Sequence, residues 1–231
     1  MSTLIWLGPV VDFQVRASVP PGFTLHVVQC VGDVQAGLMR CANVADRLLD
    51  QDGRRLPTAL RELGIADDED VYGAAFSAGG SWWRRVLLHP LDRARITGLF
   101  MFDATYGESD GKGGVKLDAL QLALVDMAVE CIADGRPFVA TAGSSPASKG
   151  KAPSASMVLT ALRHAIELAT EHRFADVTAA FDLDELPAAP VAGWQCARVV
   201  FLDFGDRVGH DPKSNHAIDV APTLLPRMVA G

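Results

Sequence analysis

The chain has 231 residues, 49% of them hydrophobic and 21% charged, with a net charge of −7 at pH 7. That length can bury one sizeable core, and that balance excludes the disordered, collagen-like and coiled-coil classes. Basic residues never run beyond two in succession, which argues against nucleic acid or an anionic membrane as the main partner.

The N-terminal "MSTLIWLGP" has no basic stretch, and its apolar run is too short for a signal peptide. No run approaches the ~20 apolar residues of a membrane span, so the expectation is a cytoplasmic protein without a membrane partner. Cys30, Cys41, Cys131 and Cys196 are widely spaced and contain no CxxC pair. They read as buried, reduced thiols, with neither a metal site nor a disulfide framework.

Taken in chain order, strand-length apolar runs alternate with segments of helical period. The strands are expected at "TLIWLG" (3–8), "FTLHVVQCV" (23–31), "DVYGAAF" (70–76), "ITGLFMFD" (96–103), "PFVATAG" (137–143) and "ARVVFLDF" (197–204). Near-continuous hydrophobicity suits strands covered on both faces. Helices are expected at 41–50, from Pro57 to Gly64, after Ser77 as far as His89, and over 117–134 and 155–172. Proline fits a first helical turn and glycine a C-terminal cap, which sets several of these limits. The segments "YGESDGKGG" (106–114) and "SSPASKGKAPS" (144–154) have loop composition. "GKGGVK" (111–116) lacks the end of a phosphate-binding motif and is grouped with them.

This alternation predicts a single α/β domain over residues 1–231. It is built on a mostly parallel central sheet of about six strands with helices on both faces.

One turn carries chemistry. The strand 70–76 runs into Ala75-Phe76-Ser77-Ala78-Gly79, and a helix leaves at once. A sharp strand-to-helix turn brings backbone segments close together, so the positions two before and two after its apex must be small; Ala75 and Gly79 are. A serine at the apex lifts its Oγ above the sheet, toward the unpaired N–H groups that begin the helix. Those donors are suited to a developing oxyanion.

This small-x-Ser-x-small turn in a strand–turn–helix context resembles the nucleophile elbow of the α/β-hydrolase superfamily, with Ala75 where glycine is commoner. The resemblance extends over nearly the whole chain, as a compact version lacking two N-terminal strands and any large cap domain. It implies a serine hydrolase of esters, thioesters or amides that needs no metal or organic cofactor. It also implies the chain order serine, acid, histidine, with the histidine in a loop after the last strand and ahead of a closing helix.

Five histidines follow Ser77. His89 lies too far along the helix to reach back, and His164 and His172 fall on or near a charged helical face. His216 and His210 remain in "GDRVGHDPKSNHAIDVAPTLLPRM". His216 is preferred, at the loop-to-helix junction, and His210 is the alternative base.

The resemblance places the acid most often after "PFVATAG", where there is no carboxylate; Asp103, ending the strand before it, takes that role, with Asp182 as the alternative. Asp103 can also be read as a cap of the following turn. By the same resemblance the oxyanion donors are the N–H of Ala78 and that of Gly8 or Val10, since Pro9 has none. Trp6, Trp82 and Trp83 read as core residues or as lining beneath the site. The expected partner is a small-molecule or polymeric acyl substrate. The rival readings are a non-catalytic ligand- or partner-binding protein of the same fold and an acyltransferase using the same triad.

Overall fold

The computed structural model describes residues 2–8, 15–16, 19–31, 40–41, 56–143, 153–178, 186, 188–209 and 215–230. The strands in chain order are β1 (Ser2–Gly8), β2 (Phe23–Val31), β3 (Arg40–Cys41), β4 (Asp70–Phe76), β5 (Gly98–Phe102), β6 (Glu108–Ser109), β7 (Val115–Lys116), β8 (Phe138–Gly143), β9 (Ala175–Asp176), β10 (Ala192–Cys196) and β11 (Val199–Gly205). The helices are α1 (Leu56–Glu62), α2 (Gly80–Leu87), α3 (Pro90–Arg93), α4 (Ala119–Asp134), α5 (Ala155–Thr170) and α6 (Ala221–Ala230).

The main sheet has the order β3-β2-β1-β4-β5-β8-β11-β10-β9. Its six central strands, β2 through β11, are parallel and coincide with the six apolar runs of the sequence. The sheet is nevertheless larger than about six strands, because β3, β10 and β9 extend it antiparallel at the two edges. These additions lack an apolar run: β3 and β9 are two residues long, and "AGWQC" of β10 is mostly half-buried. A second small departure lies in 106–114, expected to be irregular throughout, where β6 begins a hairpin with β7.

Alternate residues of each central strand enter opposite layers, as period-two side-chain geometry requires. On one face Ile5, Leu7, Leu99, Ala140 and Phe201 pack under α1, α2, α4 and α5 through Leu60, Trp83, Leu124 and Leu159. On the other, Leu4, Trp6, Phe100, Phe102 and Phe204 meet α6 through Leu224 and Leu225. Each fully buried side chain of this size contributes roughly 1.5–3 kcal/mol. The indole N–H of Trp83 donates to the Ala74 carbonyl at 2.9 Å, which ties α2 to β4 directly below the turn.

Helix limits follow local chemistry. Asp118 caps α4 by accepting from Leu120 N and Gln121 N, while Gln121 reaches back to the Asp118 N–H, and Gly135 closes the helix at φ 70°. The expected start at 117 therefore moves to 119, since a cap residue lies outside its helix. α5 ends two residues earlier than expected, at Glu171 in the left-handed region. Of the helix expected at 41–50, residue 41 belongs to β3, and the remainder lies outside the described residues, as does most of 144–154.

Cys131 on α4 is buried, and burial pushes its thiol up to about 12. In the unfolded chain the thiol ionises near its ordinary value of 9.0, so protons are lost from the unfolded state first. Stability should therefore be unaffected below pH 9 and fall as the pH rises toward 12. Urea unfolding at a series of alkaline pH values, compared with Cys131→Ala, checks this: the variant should show a shallower alkaline decline.

Candidate active site at the carboxyl edge of the sheet

After β1 the chain moves to β2 on one side, and after β4 it moves to β5 on the other. The strand order thus reverses between β1 and β4, and open α/β sheets bind ligands in the crevice outside the strand ends at such a point. Gly8 ends β1 and Ser77 directly follows β4 at that edge.

Ser77 has φ 53°. Four non-glycine residues among those described occupy the left-handed region; Glu171 ends α5 and Ala197 turns the β10–β11 hairpin. The other two, Ser77 and Asp103 (φ 45°), sit just past the ends of adjacent strands β4 and β5. Such conformations cost roughly 1–3 kcal/mol each and persist where the surroundings enforce them.

Here the surroundings are close-packed backbone. A Cβ on Gly79 would lie 2.0 Å from the Leu7 carbonyl oxygen, and one on Gly80 would lie 2.1 Å from that of Ala104. A Cβ on Gly8 would meet the Phe76 oxygen at 2.8 Å. Ala75, buried and paired with Leu7, is the second small residue of the turn. A 3₁₀ turn over Ser77–Gly79 leads straight into α2, so the first backbone N–H groups of this continuous helical segment face the crevice.

Asp103 is buried; its N–H donates to the Thr141 carbonyl at 3.0 Å, and its Oδ1 accepts from the Gly143 N–H at 3.3 Å. His216 is fully buried and opens a π-helical turn, His216–Val220, which runs into α6. Asn215 caps that turn by accepting from Ala217 N and Ile218 N. The imidazole Nδ1 lies 2.8 Å from Thr141 Oγ1, its ring meets Phe204 edge-on at 5.4 Å, and Nε2 lies beside Gly143. Asp103 and His216 are thus brought to the same end of β8, one through Gly143 and both through Thr141.

Val10, His210 and Asp182 lie outside the described residues. His164 and His172 are exposed, as a charged helical face requires, and His89 is exposed as the N-cap of α3. Trp6 is core, stacked on Phe102 with ring centroids 5.6 Å apart; Trp83 is core as well, and Trp82 packs half-buried with Arg85 over its ring.

Two residues at the site had no signal in the sequence. Thr141 sits inside an apolar strand, where a threonine is unremarkable, and Tyr106 opens a segment of loop composition. The Tyr106 hydroxyl shares a hydrogen bond with that of Ser77. Burial, reinforced by the nearby Asp103 carboxylate, pushes the phenol well above its ordinary value, so it stays protonated. Its backbone oxygen accepts from Arg84 Nη1 and from Gln121 Nε2 at 2.7 Å. Burial lowers the Arg84 guanidinium, with Asp118 nearby opposing that shift.

No protein-family model matches the chain, and no curated protein matches its sequence. Among the described residues no helix is long and apolar enough to cross a membrane, and no three His, Cys, Asp or Glu side chains are grouped to hold a metal ion.

Proposed function

We propose that this protein is a serine hydrolase of the α/β-hydrolase type, cleaving an ester, thioester or amide of a small or polymeric acyl substrate. The observation that carries the reading is Ser77 held at φ 53° between β4 and a helix start, in the crevice where the strand order reverses. A left-handed serine at that place lifts its Oγ into the crevice beside unpaired helix donors, which is the geometry an acyl-transfer nucleophile needs.

In acylation, Ser77 Oγ forms a bond to the substrate carbonyl carbon while its proton passes to His216 Nε2. The carbonyl electron pair moves onto oxygen, held by the Ala78 and Gly8 N–H groups. Collapse of that intermediate breaks the bond to the alcohol, thiol or amine, which leaves with the proton from Nε2. Water then repeats the sequence on the acyl-enzyme and restores Ser77.

For His216 to accept a proton at Nε2, Nδ1 must carry the ring proton and donate it to Thr141 Oγ1, 2.8 Å away. The Asp103 carboxylate supplies the negative charge that favours the imidazolium, fixed in place by the Gly143 N–H.

The Thr141 contact also favours a second reading. A threonine hydroxyl that donates to Nδ1 leaves the proton on Nε2, and that tautomer is no base; the site would then bind a ligand or partner without turnover. A fluorophosphonate probe separates the two. The hydrolase modifies at Ser77, found by mapping the labelled peptide, and loses the label in Ser77→Ala. A folded protein that never labels would sink the hydrolase reading and leave the binding one. An acyltransferase would label equally and is distinguished by transfer to an added alcohol or amine in preference to water.

A further inference from the structure

We propose that Tyr106 is a further catalytic residue of this site: its phenol positions Ser77 Oγ before attack and then donates to the oxyanion as a side-chain partner of the Ala78 and Gly8 N–H groups. The inference rests on the hydrolase reading above and adds a donor to it.

Three observations place the phenol there. The Tyr106 and Ser77 hydroxyls share a hydrogen bond, so the phenol already touches the reacting atom. The segment from Asp103 to Tyr106 lies flat against the start of α2, since a Cβ on Gly80 would be 2.1 Å from the Ala104 oxygen. Tyr106 is also anchored from both flanks through its carbonyl, by Arg84 of α2 and by Gln121 of α4. Arg84 Nε in turn bonds the Gly80 carbonyl at 3.3 Å, so elbow and tyrosine move as one unit. A donor preorganised in this way needs no rearrangement when charge develops.

The chemistry of the loop after β1 gives such a donor a task. Pro9 has no N–H, so that loop offers one donor fewer than its length suggests. When Oγ bonds to the carbonyl carbon, the carbonyl oxygen comes within the reach of a group that was hydrogen-bonded to Oγ. The phenol shifts its hydrogen bond from one oxygen to the other and transfers no proton. Burial and the neighbouring Asp103 keep it protonated, and a phenolate in that place would repel the oxyanion.

The test is the rate constant for fluorophosphonate modification of Ser77, because the phosphonyl oxygen occupies the oxyanion position. Tyr106→Phe keeps the ring and removes the donor; modification should slow roughly 100-fold, with the thermal midpoint little changed. A difluorinated tyrosine at position 106 keeps the shape and ionises at lower pH. It should add an alkaline decline in labelling that the wild type lacks, a readout that a purely structural role would not move. It also decides the matter if the phenylalanine variant does not fold. Wild-type labelling rates in Tyr106→Phe, or no alkaline decline in the fluorinated protein, would overturn the role of Tyr106 alone. A wild type that never labels removes the hydrolase reading and Tyr106 with it.

Discussion

Replacing His216 by alanine is expected to lower the rate of fluorophosphonate modification at Ser77 by roughly 10³-fold or more, since a serine hydroxyl without its base is a poor nucleophile. The imidazole is fully buried at the end of β8, fixed by Thr141 Oγ1 on one side and by the edge of Phe204 on another. No solvent base takes its place without entering that packed volume. Far-ultraviolet dichroism guards against a folding defect, and His216→Gln, which fills more of the space, should be similarly slow. Thr141→Val leaves the imidazole in place and removes its Nδ1 partner. It should slow labelling by roughly 10- to 100-fold, because the productive tautomer is no longer enforced. Asp103→Asn should cost far more than Asp182→Asn. The result that would move the base elsewhere is retained labelling in His216→Ala together with loss in His210→Ala.

The second large effect is on the fold. Gly79→Ala should destabilise the protein by about 3 kcal/mol or more, and the refolded fraction should label poorly at Ser77. The added Cβ would stand 2.0 Å from the Leu7 oxygen, 2.4 Å from the Leu7 carbon and 2.9 Å from the Gly8 nitrogen. All three are backbone atoms of β1, so the strain is relieved only by moving the elbow away from β1. That motion separates Ser77 from the Gly8 N–H. Gly64→Ala is the control: its φ of 78° strains any side chain, yet nothing lies within 4 Å of the added Cβ. Its cost should be about 1 kcal/mol. Urea midpoints of the two variants check the contrast, and equal midpoints would show that contact with β1 is not what requires glycine at 79.

The legible part of the fold was its central layer. Strands such as β4 and β8 are apolar throughout and bounded by turn residues, so length and composition mark them without tertiary information. The cap of α4 is similarly local, because Asp118 and Gln121 satisfy backbone groups within their own first turn. The edge strands were not legible. β3, β9 and β10 exist because a neighbour offers an unpaired edge, and their own residues carry little pattern.

The site divides along the same line. Ala75, Ser77 and Gly79 stand within five residues, so the small-residue demand of the turn is written in one short stretch. Asp103 was marked by being a carboxylate at the end of an apolar run, and His216 by its place ahead of the closing helix. Thr141 and Tyr106 carried no such mark. Their importance comes from contacts spanning 75 residues to His216 in one case, and from the crossing of β5 over to the elbow in the other.

By itself, then, the sequence determined the α/β alternation, the six central strands and the turn that holds Ser77, because each follows from steric and hydrogen-bonding demands met within a few residues. Only the tertiary structure decided which polar groups meet above the sheet. Strand order and register bring Gly8, Ser77, Asp103 and Thr141 to one edge, and packing over β8 carries His216 to it. Those contacts are long in sequence and short in space, and no local pattern of residues encodes them.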